Sequence, residues 1–154
     1  MKKPTKLYAF SLLLILSGFC NAQQWNDKQK EVWGVILSSF KDIDKGDNNW
    51  SNKWVTKDAM VWGGSYPMPR NRDSVKRWDA YYMPQSQTLL SEYASTAIVV
   101  HGTTAVAHYY YTNAGKDKEG KHKTTYGRCT DVLAKDDGKW KFIAWHCTDT
   151  PEKD

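Results

Sequence analysis

What this chain has little of narrows it first. Of its three cysteines only Cys129 and Cys147 lie beyond the N-terminal segment, and no CxxC occurs. The four histidines, at 101, 108, 122 and 146, show neither HxxxH nor HxxEH spacing, so no metal site is expected. The sequence also lacks a phosphate-binding glycine loop, a dinucleotide fingerprint and a serine elbow, so no cofactor is expected. Repeats and Pro/Gly-rich linkers are missing, which favours one domain over several. A basic stripe is missing too: the stretch Lys116 to Lys123 is interrupted by Asp117, Glu119 and Gly120 and reads as a solvated loop. Nucleic acid is therefore not an expected partner.

The N-terminus carries the sharpest positive signal. Lys2, Lys3 and Lys6 form a basic flank, and Leu7 to Phe19 is a nearly uninterrupted apolar run. Cys20, Asn21 and Ala22 then place small residues before a cut at Gln23, the layout of a secretory signal peptide. The run is about 13 residues, short of the roughly 20 a spanning helix needs. A lipid anchor on Cys20 competes with this reading, but the bulky Phe19 stands where lipobox cysteines are preceded by a small residue. The expectation is thus a leader over 1–22 and a single exported domain over 23–154, periplasmic or secreted, with no membrane contact once the leader is gone. The leader holds three of the 22 basic residues and no acid, which leaves 19 basic against 17 acidic residues, a net +2. Cys129 and Cys147 would meet an oxidising compartment, where paired thiols tend to be joined. They fall on adjacent strands near one level of a hairpin, and the register decides whether the geometry fits.

Along the domain, Val32, Ile36, Phe40 and Ile43 recur at helical spacing. This predicts a helix over 26–45, with Asn26 or Asp27 as cap and Gly46 past its end. A short turn over 49–54, a brief strand over 59–62 and a Gly/Pro loop over 63–69 follow. Asn71 then caps a helix carrying Val75, Trp78 and Tyr82, which Pro84 stops. From Gln87 the pattern changes to strands, with turns at His101-Gly102 and Asp136-Asp137-Gly138 and a polar loop over 113–121. Helices followed by a run of long strands indicate an α+β fold, a strongly curved antiparallel sheet wrapped around N-terminal helices with a hollow at one end.

Several pieces together resemble the SnoaL-like branch of the nuclear transport factor 2-like superfamily. They are the helix carrying Trp33, Phe40, Gly46 and Asp47, the Gly63-to-Arg70 loop with the Asn71-to-Val75 helix start, and Gly102 to Ala107. The most specific is Gly127-Arg128-Cys129-Thr130-Asp131-Val132-Leu133 with Asp137-Gly138-Lys139-Trp140-Lys141. The resemblance spans Trp25 to Thr148. It implies a cone-shaped domain with a small-molecule pocket and a homodimer formed through the outer sheet face. The family includes isomerases, cyclases, dehydratases, epoxide hydrolases and non-catalytic binding or assembly domains, so it implies no single activity.

Within that frame Asp131 is the first candidate. It sits mid-strand in a segment built for burial, and a desolvated carboxyl has the raised pKa a general base needs. An ion pair with Arg128 or a lysine, or an exposed edge position, is the plain alternative. On the strand before it, His108 and Tyr110 share one face and Tyr109 and Tyr111 the other, and one pair should line the interior. His108 and Tyr110 are taken as the hydrogen-bond donors to accompany Asp131. A hairpin symmetric about Gly138 pairs Asp131 with Trp145 and turns His146 to the opposite face, which weakens an Asp131–His146 dyad unless a bulge restores it. Trp62, Tyr66, Tyr82 and Trp145 are the expected ligand contacts. Three readings stay open: a binding module for a small, partly apolar molecule, a cofactor-free isomerase, dehydratase or cyclase with Asp131 as base, and an assembly domain using its outer face.

Overall fold

A computed structural model describes residues 24–63 and 67–150. The leader read over 1–22 and the candidate contact Tyr66 lie outside the described residues. The elements run α1 (Asp27–Asp44), α2 (Trp50–Trp54), β1 (Met60–Gly63), β2 (Arg70–Asn71), α3 (Arg72–Tyr82), a 3₁₀ turn (Met83–Gln85), and then β3 (Ser86–His101), β4 (Thr104–Asp117), β5 (His122–Asp136) and β6 (Lys139–Asp149). The strands form one curved, unclosed sheet in the order β2-β1-β6-β5-β4-β3 with the helices on its concave face, so the expected α+β cone is the fold. All neighbours are antiparallel except β1 and β6, where Trp62 pairs with His146 in parallel. No helix among the described residues is long and apolar enough to cross a membrane.

Local chemistry sets the helix ends. Asn26 caps α1 in a capping box: its side chain accepts from the Gln29 N–H at 3.0 Å, and the Gln29 side chain accepts from the Asn26 N–H at 2.9 Å. The Gln29 side-chain amide also donates to the Ile98 carbonyl at 2.7 Å, fixing α1 to β3. Val32, Ile36 and Ser39 form the buried face of α1. The Asn71 side chain accepts from the Ser74 N–H at 2.9 Å and starts α3. Short α2 ties the other two helices together through its tryptophans. Trp54 Nε1 donates to Asp42 on α1 at 2.7 Å, and Trp50 Nε1 donates to Asp79 on α3 at 2.8 Å.

The β5–β6 hairpin aims the concave face. Its turn is tighter than one symmetric about Gly138: Asp136 pairs with Lys139, and Asp137 and Gly138 alone make the loop at φ 49° and 75°. Two successive residues at positive φ mark the primed turn that matches strand twist. One extra residue, Ile143, then forms a bulge between the Leu133–Phe142 and Val132–Ala144 pairs. The bulge restores the expected pairing of Asp131 with Trp145 further along. It also switches the strand's parity, so Trp140, Phe142, Trp145 and Cys147 all pack with the core. His146 stays on the outer face, as the alternation implied.

One loop expectation is corrected. The polar segment over 113–121 continues β4 to Asp117, and only four residues turn the chain before β5. Backbone pairing of Asn113–Asp117 with β3 and β5 overrides their polar composition. Next to this region Gly127 faces Tyr111, and a Cβ there would collide with the tyrosine ring. Cys129 and Cys147 are directly opposed and joined in a disulfide, so the register left open by the sequence does fit.

Truncating Ile36 (0% exposed) to alanine is expected to lower the unfolding free energy by about 3 kcal/mol through cavity formation. The neighbouring Leu37→Ala (39% exposed) should change it by less than about 0.5 kcal/mol. Urea denaturation of both variants checks this contrast.

Candidate functional site

Between the helices and the concave face lies a cavity of about 180 Å³. α1 contributes Phe40, α2 Trp50 and α3 Asp79; the sheet contributes Tyr109, Asp131 and Trp145. Its walls are largely aromatic. The Phe142 and Trp145 rings meet edge to face at 6.0 Å, Phe40 meets Tyr109 at 5.8 Å, and Phe40 stacks on Tyr93 at 4.2 Å.

Asp131 is the buried carboxyl of this space, with 2% of its surface exposed. Tyr109, on the neighbouring strand, donates its hydroxyl to Asp131 Oδ2 at 2.9 Å. Tyr109 pairs with Cys129 and Asp131 with Ala107, so this contact runs diagonally across β4 and β5 on one face. Burial pushes the Asp131 carboxyl up to about 7, while the Tyr109 hydrogen bond pulls the other way. The Tyr109 hydroxyl is itself held far above its ordinary range, first by burial and then by the charge of Asp131. Asp79 is the second carboxyl of the cavity. Burial raises its pKa, and the Trp50 indole bond and then the Arg70 charge oppose that rise.

Of the residues proposed from sequence, Asp131 and Trp145 line the cavity together. His108 and Tyr110 do not join them. They lie on the outer face with Arg128, Thr130 and His146, and the His108 Nδ1 hydrogen bonds with the Thr130 hydroxyl at 2.9 Å. The physical reason is the strand period: Ala105, Ala107 and Tyr109 are buried on the concave side, so the even-numbered residues between them face outward. The same parity separates Arg128 from Asp131 and removes the ion pair weighed for them. Trp62 is 48% exposed and pairs with His146, on the outer face. Tyr82 is 51% exposed and stacks on Trp78 on the outside of α3. The donor that sequence reasoning assigned to the wrong strand face is therefore Tyr109. Asp79, four residues after Val75 on one helical face, is the carboxyl it missed. A charged residue interrupting that apolar stripe was the available signal.

Sulfur and carboxyl ligand atoms of Cys129, Asp131 and Cys147 lie within 4.8 Å of one another. Both sulfurs are bound to each other, and a disulfide offers no thiolate to a metal. The cluster is thus a carboxyl beside a disulfide, at the floor of the cavity.

The raised Asp131 pKa fixes the sign of a pH effect. A carboxyl near 7 when folded and about 4 when unfolded binds its proton more tightly in the folded state. Its favourable contribution is complete below about pH 4 and is lost as pH rises through about 7. Relative to Asp131→Asn, the wild-type chain is expected to lose on the order of 4 kcal/mol over that window. Denaturant titrations of both chains across the pH series measure it, and the comparison cancels the parallel effect of Asp79.

The SnoaL-like domain family matches residues 35–148. Among solved structures, a ketosteroid isomerase-like protein from Erwinia carotovora atroseptica superposes with a TM-score of 0.73 at 12% identity, over 83% of this chain and 100% of that one. A conserved protein from Planctomyces limnophilus gives a TM-score of 0.75 at 11% identity, over 81% and 98% of the two chains. A nuclear transport factor 2-like protein from Cytophaga hutchinsonii gives 0.69 at 16%, over 82% and 100%. At these identities the likeness is one of fold. No curated protein matches the chain. The family match runs from within α1 to near the end of β6 and takes in every described wall of the cavity, and the chain belongs to the SnoaL-like domain family.

Proposed function

We propose that this chain is an exported, cofactor-free acid–base enzyme that moves a proton on a small, partly apolar molecule, as isomerases and dehydratases do. The observation that carries the reading is Asp131, buried in an aromatic cavity with the Tyr109 hydroxyl 2.9 Å from one oxygen. A purely apolar cavity would suit a binding module; two carboxyls in a desolvated space suit proton transfer. The description of one structural relative as ketosteroid isomerase-like points the same way. The basic and apolar leader supports export, and so does a disulfide, which persists in oxidising compartments.

The chemistry follows from burial. Ionised Asp131 has lost most of its hydration and is a stronger base than a surface aspartate, with a pKa matched to neutral solution. It would take a proton from carbon next to a carbonyl and return it at a neighbouring position or to a departing hydroxyl. Tyr109 holds the carboxyl in one orientation, leaving the second oxygen for the substrate. Asp79, restrained by the Trp50 indole, is a second proton-handling group in the same space. The cavity holds about six water volumes, which limits the substrate to a small molecule.

Hydrogen–deuterium exchange of small ketones and hydroxy-ketones, followed by NMR, tests the reading without a known substrate. Exchange next to the carbonyl is expected to rise with pH to a plateau above about 7, as Asp131 ionises. Asp131→Asn should slow it by about 10²–10⁴-fold while circular dichroism stays unchanged. Tyr109→Phe removes the bond that lowers the Asp131 pKa and should move the inflection upward. Exchange by Asp131→Asn at the wild-type rate would refute the assignment of the base.

A further inference from the structure

The Cys129–Cys147 disulfide is more than a staple between two strands. Cys129 is 5% exposed and packed in the core, whereas Cys147 is half-buried and lines the cavity. The two residues differ in exposure, and a carboxyl oxygen of Asp131 lies within 4.8 Å of both sulfurs. The strands they join are already held by the register pairs on either side, from Gly127–Asp149 to Val132–Ala144. The bond can therefore open without releasing β6 from β5.

We propose that Cys129–Cys147 is a redox-active site that exchanges with low-molecular-weight thiols and disulfides entering the cavity, with Asp131 as the proton donor and acceptor for the buried sulfur. The cavity size restricts the reactant to a monothiol about as large as cysteine or cysteamine and excludes protein thiols.

The steps balance as follows. An external thiolate attacks the Sγ of Cys147, the cavity-lining residue, and forms a mixed disulfide. The Cys147–Cys129 bond breaks, and its electron pair goes to Cys129 Sγ. A thiolate left in that apolar enclosure is costly, and the protonated Asp131 carboxyl gives it a proton. A second external thiolate attacks the external sulfur of the mixed disulfide; Cys147 leaves and is protonated from solvent through the cavity. Two thiols are oxidised to one external disulfide, and the protein disulfide is reduced to two thiols. In reverse, ionised Asp131 takes the proton from Cys129, so that a thiolate can close the bond. This inference shares Asp131 with the proton-transfer reading but does not depend on it: a carboxyl that never meets a carbonyl substrate still serves the sulfur.

The test uses the folded chain in cysteamine/cystamine redox buffers, with free thiols trapped by alkylation and counted by mass spectrometry. The wild-type disulfide is expected to equilibrate with cysteamine in native buffer, through a mixed disulfide on Cys147. Asp131→Asn should slow reduction near neutral pH by about a hundredfold and flatten its pH dependence. Glu92→Gln, on the exposed edge strand, should leave it unchanged. Single-cysteine variants keep the idea falsifiable if Asp131→Asn folds poorly: the thiol left in Cys129→Ser should react with cystamine at least about ten times faster than that in Cys147→Ser. Reduction only in denaturant, equal reactivity of the two lone thiols, or an Asp131→Asn chain reduced like wild type would each overturn it. Failure of carbonyl exchange together with normal disulfide exchange would refute the enzyme reading alone.

Discussion

The register of the β5–β6 hairpin is the constraint on which the rest depends. A two-residue turn at Asp137-Gly138 and a one-residue bulge at Ile143 act in succession. The turn sets Trp140 and Phe142 toward the helices; without the bulge, strict alternation would then have sent Trp145 and Cys147 to solvent. With it, one strand delivers four bulky or reactive side chains to a single face, and the same pairing places Asp131 opposite Trp145 and Cys129 opposite Cys147. A one-residue slip here would exchange the contents of the cavity with those of the outer surface.

Burial then turns placement into chemistry. Tyr109 is itself enclosed by Trp33 and Phe40, so its hydroxyl has little choice of direction other than the carboxyl beside it. The helices contribute a comparable pair in Trp50 and Asp79, and α2 brings the indole there because Trp54 anchors its other end to Asp42. The two carboxyls of the cavity are thus held by a tyrosine hydroxyl and an indole. A neutral donor lowers the cost of the charged carboxyl only partly, which leaves the proton within reach of neutral solution.

Much of this was legible in the sequence. The helical spacing of Val32, Ile36, Phe40 and Ile43, the caps Asn26 and Asn71, and the Asp137-Gly138 turn gave the element order, and the glycine-containing segments pointed to the SnoaL-like family. The pairing of Asp131 with Trp145 was read from a hairpin centred on Gly138; the real turn alone would set Asp131 opposite Ala144, and the bulge at Ile143 brings Trp145 back to it. The tyrosine run was harder: Tyr109, Tyr110 and Tyr111 are chemically alike, and periodicity divides them into two faces without saying which faces inward. That choice depends on Ala105 and Ala107 meeting the helices, a tertiary fact. The bulge at Ile143 has no glycine to announce it, and Asp79 reaches the cavity only through the packing of α3. Parity and helix placement are properties of the assembled layers.

The outermost long strand, β3, raises a separate matter. Sixteen residues of sheet edge with Leu89, Leu90 and Val99 exposed would be an inviting template for a strand from another molecule. Its ladder with β4 is broken twice, at Leu89 and at Thr96, where an unmatched residue kinks the backbone. An incoming strand would find the row of edge amides and carbonyls out of step after a few residues. The irregularities that help bend the sheet around its helices therefore also guard the protein against self-association into fibrils.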